Sequence, residues 1–204
     1  MDPVLIGDFD KRIFLGRALE MDDLPYYTLA GLIAIGILIA VFVVRRSRQA
    51  LTLRKVAKHI SFEWVQDFVL PDGFDGEIQI DHLLLTSKGL VVLDVKEAEG
   101  NIFGGNRMEE WTVISSTGRY TFRNPQGLIF DKVSAVRRLV PDVPVKGYIL
   151  FTNQARFEKG RPDDVLKLEE LDEMYAPVAR SDQMLDAFRP HWEKLIEMGH
   201  PAVR

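Results

Sequence analysis

The sequence predicts an α/β domain preceded by one transmembrane helix. Residues 78–85 and 90–95 are two apolar, β-rich runs separated only by Thr86-Ser87-Lys88-Gly89, the pattern of a hairpin. Val145–Phe151 is a third apolar, β-rich run, and it reads as a buried strand returning to the same sheet. Residues 24–44 carry no charge, and 29–44 consist of Ala, Gly, Leu, Ile, Val and Phe alone. That length suffices for a helix to cross a hydrocarbon core of about 30 Å.

In chain order, the expected organisation is a short extracytoplasmic N-terminus over 1–23, a transmembrane helix over 24–44, a basic juxtamembrane segment over 45–58 and a folded domain over 59–204. Val4, Leu5, Ile6, Phe9, Ile13 and Phe14 give the first segment an apolar side that would lie on a membrane. Pro25 stands near the start of the span, where a missing N–H is tolerated, and Tyr26-Tyr27 suit the interfacial belt. Glu20, Asp22 and Asp23 precede the span, whereas Arg45, Arg46, Arg48, Arg54, Lys55 and Lys58 follow it without an intervening acid. The positive-inside rule then puts the N-terminus outside and the folded domain on the cytoplasmic face of the cell's inner membrane. A cleavable signal peptide has the opposite charge order. The lipid bilayer is therefore the first expected partner, with the basic segment as an electrostatic anchor and Leu51, Leu53 and Val56 continuing it as a short amphipathic helix.

Within the domain, a strand is expected over 65–70, turning at Pro71-Asp72-Gly73, and a hairpin over 111–122 around Ser115-Ser116-Thr117-Gly118. Asn124 is placed to cap a helix starting at Pro125, with Leu128, Val133, Val136 and Leu139 as its apolar stripe and Lys132, Arg137 and Arg138 on its solvated side. Asp182–Met198 closes the chain as an amphipathic helix. Trp64, Trp111 and Trp192 are expected as core or interface anchors.

Composition excludes several classes of function. The chain holds 26 basic and 30 acidic side chains and no cysteine, which rules out disulfides, thiolate zinc sites and a cysteine nucleophile. His59, His82, His191 and His200 show no ligand spacing, and His82 should face the other side of its strand from Asp81. No phosphate-cradling glycine loop precedes a Lys-Ser/Thr pair, so no nucleotide cofactor is expected. Residues 59–204 hold 17 basic against 24 acidic side chains, a balance of −7. Non-specific affinity for nucleic acid comes mainly from Lys and Arg, so binding to DNA or RNA should be weak unless a cation assists.

The remaining candidate chemistry lies at the hairpin. Asp81 and Asp94 stand at neighbouring ends of the two runs, and Lys96, two residues beyond Asp94, shares its face. Paired carboxylates suit a hard cation such as Mg²⁺ or Mn²⁺, and a lysine beside them suits a developing phosphorane charge, so the pattern points to phosphodiester hydrolysis. Asp94 also ends an apolar run, where an ionised group must be paired or bind a cation.

These residues also carry a resemblance. Gln79-Ile80-Asp81-His82-Leu83-Leu84-Leu85, Gly89-Leu90-Val91-Val92-Leu93-Asp94-Val95-Lys96, Gly100-Asn101-Ile102-Phe103-Gly104, Trp111 and Asn124-Pro125 follow in the order of the nuclease-related domain, NERD. That family resembles a branch of the PD-(D/E)xK, restriction-endonuclease-like superfamily, and the likeness runs over about 66–151. It implies a mixed sheet flanked by helices, Asp81 and Asp94 as metal ligands, and Lys96 as the catalytic lysine. Asp94 stands where the family usually has Glu, and Leu128 where it tends to have Gln. The upstream acid of the superfamily has no counterpart in 45–61, so Glu77, Gln79 and Gln126 are the auxiliary candidates and Glu63 a further substitute.

Two functions are therefore expected from different classes. One is a membrane-anchored, metal-dependent nuclease cutting DNA or RNA. The other is a catalytically degenerate module that binds nucleic acid or a protein partner at the membrane, or that only positions a membrane protein complex.

Overall fold

In the computed structural model, the backbone is described for residues 24–151, 154–176 and 182–202; the side chains of 24–27, 45–51 and 182–184 are not. The expectations for residues 1–23, Tyr26-Tyr27, Arg45, Arg46, Arg48 and Leu51 fall outside the described residues. The chain divides into a unit over Met1–Arg48 and a second over Gln49–Arg204.

The first described element is a long helix, α1 (Leu24–Ile60). Between Leu29 and Val44 its large apolar side chains are exposed throughout. Among the described residues no helix is long and apolar enough to cross a membrane, the side chains of this apolar stretch being described from Thr28 to Val44.

In the second unit the end of α1 leads into β1 (Ser61–Pro71), β2 (Glu77–Thr86) and β3 (Gly89–Lys96), which pair antiparallel in sequence. The expected first strand is present and longer at both ends. At the tight turn between β2 and β3, Gly89 has φ 110°, and a Cβ there would strike the Pro144 carbonyl. The Thr86 hydroxyl closes the turn by donating to the Gly89 carbonyl at 2.8 Å.

Next come β4 (Gly100–Phe103), β5 (Glu110–Ser115) and β6 (Gly118–Arg123), then α2 (Gln126–Leu139) and β7 (Val145–Phe151). β8 (Ala155–Arg156), β9 (Val165–Leu166), α3 (Leu168–Tyr175), α4 (Asp182–Met198) and β10 (His200–Pro201) complete the chain. The main sheet runs β10-β1-β2-β3-β7-β9, with β3–β7 and β7–β9 parallel; a second sheet runs β6-β5-β4-β8. The architecture is thus mixed α/β, and the hairpins around residues 86–89 and 115–118, the returning strand Val145–Phe151 and the last helix all form as the sequence predicts.

Both faces of the main sheet are covered, which is why β3 reads as one unbroken apolar run. On one face, Leu83, Leu85, Leu90 and Val92 meet Ile129, Val133 and Val136 of α2. On the other, Leu84, Val91 and Leu93 meet Ala57 and Ile60 of α1 and Leu171 and Tyr175 of α3. Gly147 lets α2 approach closely, since a Cβ there would strike Val133 and Ile129.

The stripe of α2 needs a correction. Leu128 is 46% exposed, and Ile129 at 3% takes its place. The helix begins at Gln126, so the buried positions are Ile129, Val133, Val136 and Leu139, a spacing of 4, 3 and 3 that brings Lys132 inward as well. Arg137 and Arg138 are exposed, as expected, and are held by local contacts. Arg137 donates to the Val145 carbonyl at 2.7 Å, while Arg138 donates to the Asp72 carbonyl and covers the Phe74 ring at 4.8 Å. Asn124 does serve the helix start, its Oδ1 accepting from the Gln126 N–H at 2.9 Å.

Candidate active site

The register of the β2–β3 hairpin builds the site. His82 pairs with Leu93, and one step further along the same register sets Asp81 beside Asp94. Alternation then aims Asp81, Asp94 and Lys96 at the α2 face, while Val95 packs on the opposite side with Leu93. Asp94 sits on a central strand between β2 and β7 and is completely buried, whereas Asp81 keeps a third of its side chain exposed.

Two lysines meet these carboxylates. Lys96 Nζ donates to Asp94 Oδ1 at 3.1 Å and stands 2.9 Å from Oδ2. The second contact is ionic without hydrogen-bond geometry, so Oδ2 has no hydrogen-bond donor despite being buried. Lys132 comes from α2, 4% exposed, with its Nζ 3.3 Å from Asp81 Oδ1 and 3.5 Å from Asp94 Oδ1. Sequence reasoning set this residue on the solvated side of the helix, whereas the structure buries it. Position 132 is i+4 from Leu128, i+3 from Ile129 and i−4 from Val136, so helical spacing was the available signal.

Electrostatics follow from this crowding. Burial first, then the hydrogen bond with Asp94, push Asp81 up to about 6, against the pull of Lys132. Burial also opposes ionisation of Asp94, but its hydrogen bond with Asp81 and the Lys132 and Lys96 ammonium groups outweigh that, and its carboxyl titrates below the ordinary range. One member of the pair thus holds the charge and the other more readily holds a proton.

His82 faces away, as expected. Its ring lies 5.8 Å from Trp64, Gln66 Nε2 is 3.3 Å from its Nδ1, and burial lowers its pKa to about 4. The auxiliary candidates are not brought to the carboxylates. Glu77 and Gln79 are exposed near the start of β2, with Glu77 3.4 Å from His200. Gln126 Nε2 instead donates to Asn106 and Asp164, each at 2.9 Å, tying two loops to the start of α2. Glu63 accepts from Arg189 at 2.8 Å and from the Trp192 indole at 2.7 Å, anchoring α4 to β1. Beyond Lys96 opens a cavity of about 580 Å³ walled by Tyr120, Phe122, Arg123 and Phe151.

The hairpin thus gathers Asp81, Asp94 and Lys96, with Lys132 from α2, on one face of a mixed sheet. Residues 46–152 match the model of the nuclease-related domain, and the chain belongs to that family, consistent with a PD-(D/E)xK-like relationship. No curated protein and no solved structure matches the chain.

The donor set can be tested against a divalent cation. Two adjacent carboxylates, one with a buried oxygen that lacks a hydrogen-bond donor, offer the hard oxygen ligands that Mg²⁺ or Mn²⁺ takes, with water and substrate phosphate completing the shell. Among the described residues no group of three or more His, Cys, Asp or Glu is placed to hold a metal ion. The fit therefore rests on Asp81 and Asp94.

Proposed function

We propose that this protein is a divalent-metal-dependent nuclease that hydrolyses phosphodiester bonds of DNA or RNA. One observation carries the reading: in a member of the nuclease-related family, Asp81 and Asp94 lie side by side on one sheet face with Lys96 2.9 Å from Asp94. Mg²⁺ or Mn²⁺ held by these two carboxylates would neutralise phosphate charge and lower the pKa of the attacking water. Asp94, fixed on a buried strand, supplies the rigid ligand, and Asp81 the solvent-facing one. Lys96 reaches toward the cavity and stabilises the developing charge on the phosphate. The cavity leaves room for the strand that carries the scissile bond.

The same proposal places the domain at the cytoplasmic face of the inner membrane, anchored by α1. The uncharged stretch 24–44, the exposed apolar side chains of Leu29–Val44 and the basic residues that follow support it. Carbonate extraction of membranes carrying the full chain tests this directly; release into the wash would refute the anchor.

A second reading has its own support. Lys132 and Lys96 neutralise the two carboxylates without any metal, the arrangement expected of a degenerate module that binds nucleic acid or a protein partner within a membrane complex. Incubating the full chain with single- and double-stranded DNA and RNA, with Mg²⁺, Mn²⁺ or chelator, separates the two. Metal-dependent cleavage lost in Asp94→Asn supports the nuclease; intact substrate under all conditions supports the module.

A further inference from the structure

Lys132 is the one charged residue of α2 that the structure buries, and its contacts are specific. Its ammonium approaches Oδ1 of Asp81 and Oδ1 of Asp94 at nearly equal distances, 3.3 and 3.5 Å. Lys96, in contrast, approaches both carboxylate oxygens of Asp94. A cation bridging the two Oδ1 atoms would take each at about 2.1 Å, and Lys132 Nζ already lies within 3.5 Å of both. An ammonium held at that spot would then meet a divalent ion at close range across a buried, poorly screened site. Both cations cannot share those two oxygens.

We propose that Lys132 is a tethered counter-cation that occupies the place between Asp81 and Asp94 which a divalent metal would take, so that metal enters only when the lysine side chain withdraws. This rests on the metal reading given above, and it assigns Lys132 a positioning role. It keeps two crowded carboxylates together when metal is scarce, and it sets a threshold of metal concentration for loading the site. The lysine arises from a helix rather than from the hairpin, so it can withdraw without moving either strand.

The test is calorimetric titration of the full chain with Mn²⁺ in detergent, beside Lys132→Met, Lys132→Arg and Asp81→Asn, with thermal unfolding of each in Mn²⁺ and in chelator. Lys132→Met should bind Mn²⁺ at least tenfold more tightly than the natural chain, and Mn²⁺ should raise its Tm by more. Lys132→Arg, which keeps the charge, should bind no more tightly than the natural chain. Lys146→Met, a charge removal at an exposed position, should leave affinity within twofold. Binding by Lys132→Met that is equal or weaker overturns the proposal, and so does a tenfold gain in Lys132→Arg. If the natural chain loses Mn²⁺ binding on Asp81→Asn while Lys132→Met changes nothing, the metal site stands and the lysine's role falls. Binding in Lys132→Met but not in the natural chain supports the lysine's role, whereas no binding in either overturns both. Should Lys132→Met unfold in chelator, recovery of its native circular dichroism on adding Mn²⁺ supports the proposal and failure to recover overturns it.

Discussion

Asp81 and His82 are neighbours on β2 that point to opposite faces of the sheet, and burial shifts them in opposite directions. It raises the carboxyl of Asp81 to about 6 and lowers the imidazole of His82 to about 4. A raised folded-state pKa gives stability that is present at low pH and lost as pH rises through that value. A lowered one gives stability that is present above the unfolded value and lost as pH falls.

Over about pH 4 to 6 the two effects therefore oppose each other. For His82, the fall from 6.5 to about 4 corresponds to roughly 3 kcal/mol lost on acidification. Asp81→Asn should remove the opposing contribution and make urea stability fall more steeply from pH 6.5 to 4. His82→Gln should do the reverse, leaving stability that declines as pH rises from 4 to 6. Urea midpoints at half-unit pH intervals in chelator check both signs.

Lys132→Met should destabilise metal-free protein by about 3 kcal/mol, because it removes the ammonium beside Asp81 and one of the two beside Asp94. Adding Asp81→Asn to that variant should recover part of the loss. A double-mutant cycle in urea measures the coupling.

Ile129→Ala should destabilise by about 2–5 kcal/mol, whereas Leu128→Ala should stay within about 0.5 kcal/mol. The contrast follows from Ile129 packing under Gly147 while Leu128 faces outward. Equal effects would contradict the helix phase described above.

Gly89→Ala should cost about 1–3 kcal/mol, since a positive φ is combined with a clash against the Pro144 carbonyl. The midpoint of chemical unfolding reads this out, and Ser87→Ala in the same turn serves as the mild control.

The parts of this fold that were legible in the sequence are those where one local pattern decides. The hairpin carrying Asp81 and Asp94 has strong β-rich runs on both sides of a short turn, and Val145–Phe151 is apolar because both faces of β7 are covered. The shared face of Asp94 and Lys96 followed from strand alternation alone. Position 132 falls on the inward face, i−4 from Val136, but a lysine there reads as solvated until the carboxylates it meets across the sheet are known. Glu77, Gln79 and Gln126 were nominated for their nearness in sequence to the motif. Glu77 and Gln126 are held instead by contacts with His200, Asn106 and Asp164, which lie 20 to 123 residues away and leave no local signal, and Gln79 is exposed on β2.

Under the proposed function Asp81 and Asp94 together hold a divalent cation that supports Lys96-assisted phosphodiester cleavage. The most direct test is Mn²⁺ titration of the full chain by calorimetry against the Asp81→Ala/Asp94→Ala double variant, followed by incubation of both with single-stranded DNA. The natural chain should show saturable binding and cleavage, both lost in the double variant, with Lys96→Met retaining metal but cleaving at least a hundredfold more slowly. Equal Mn²⁺ binding by the natural and double-variant chains, with the DNA left intact by both, would contradict that function.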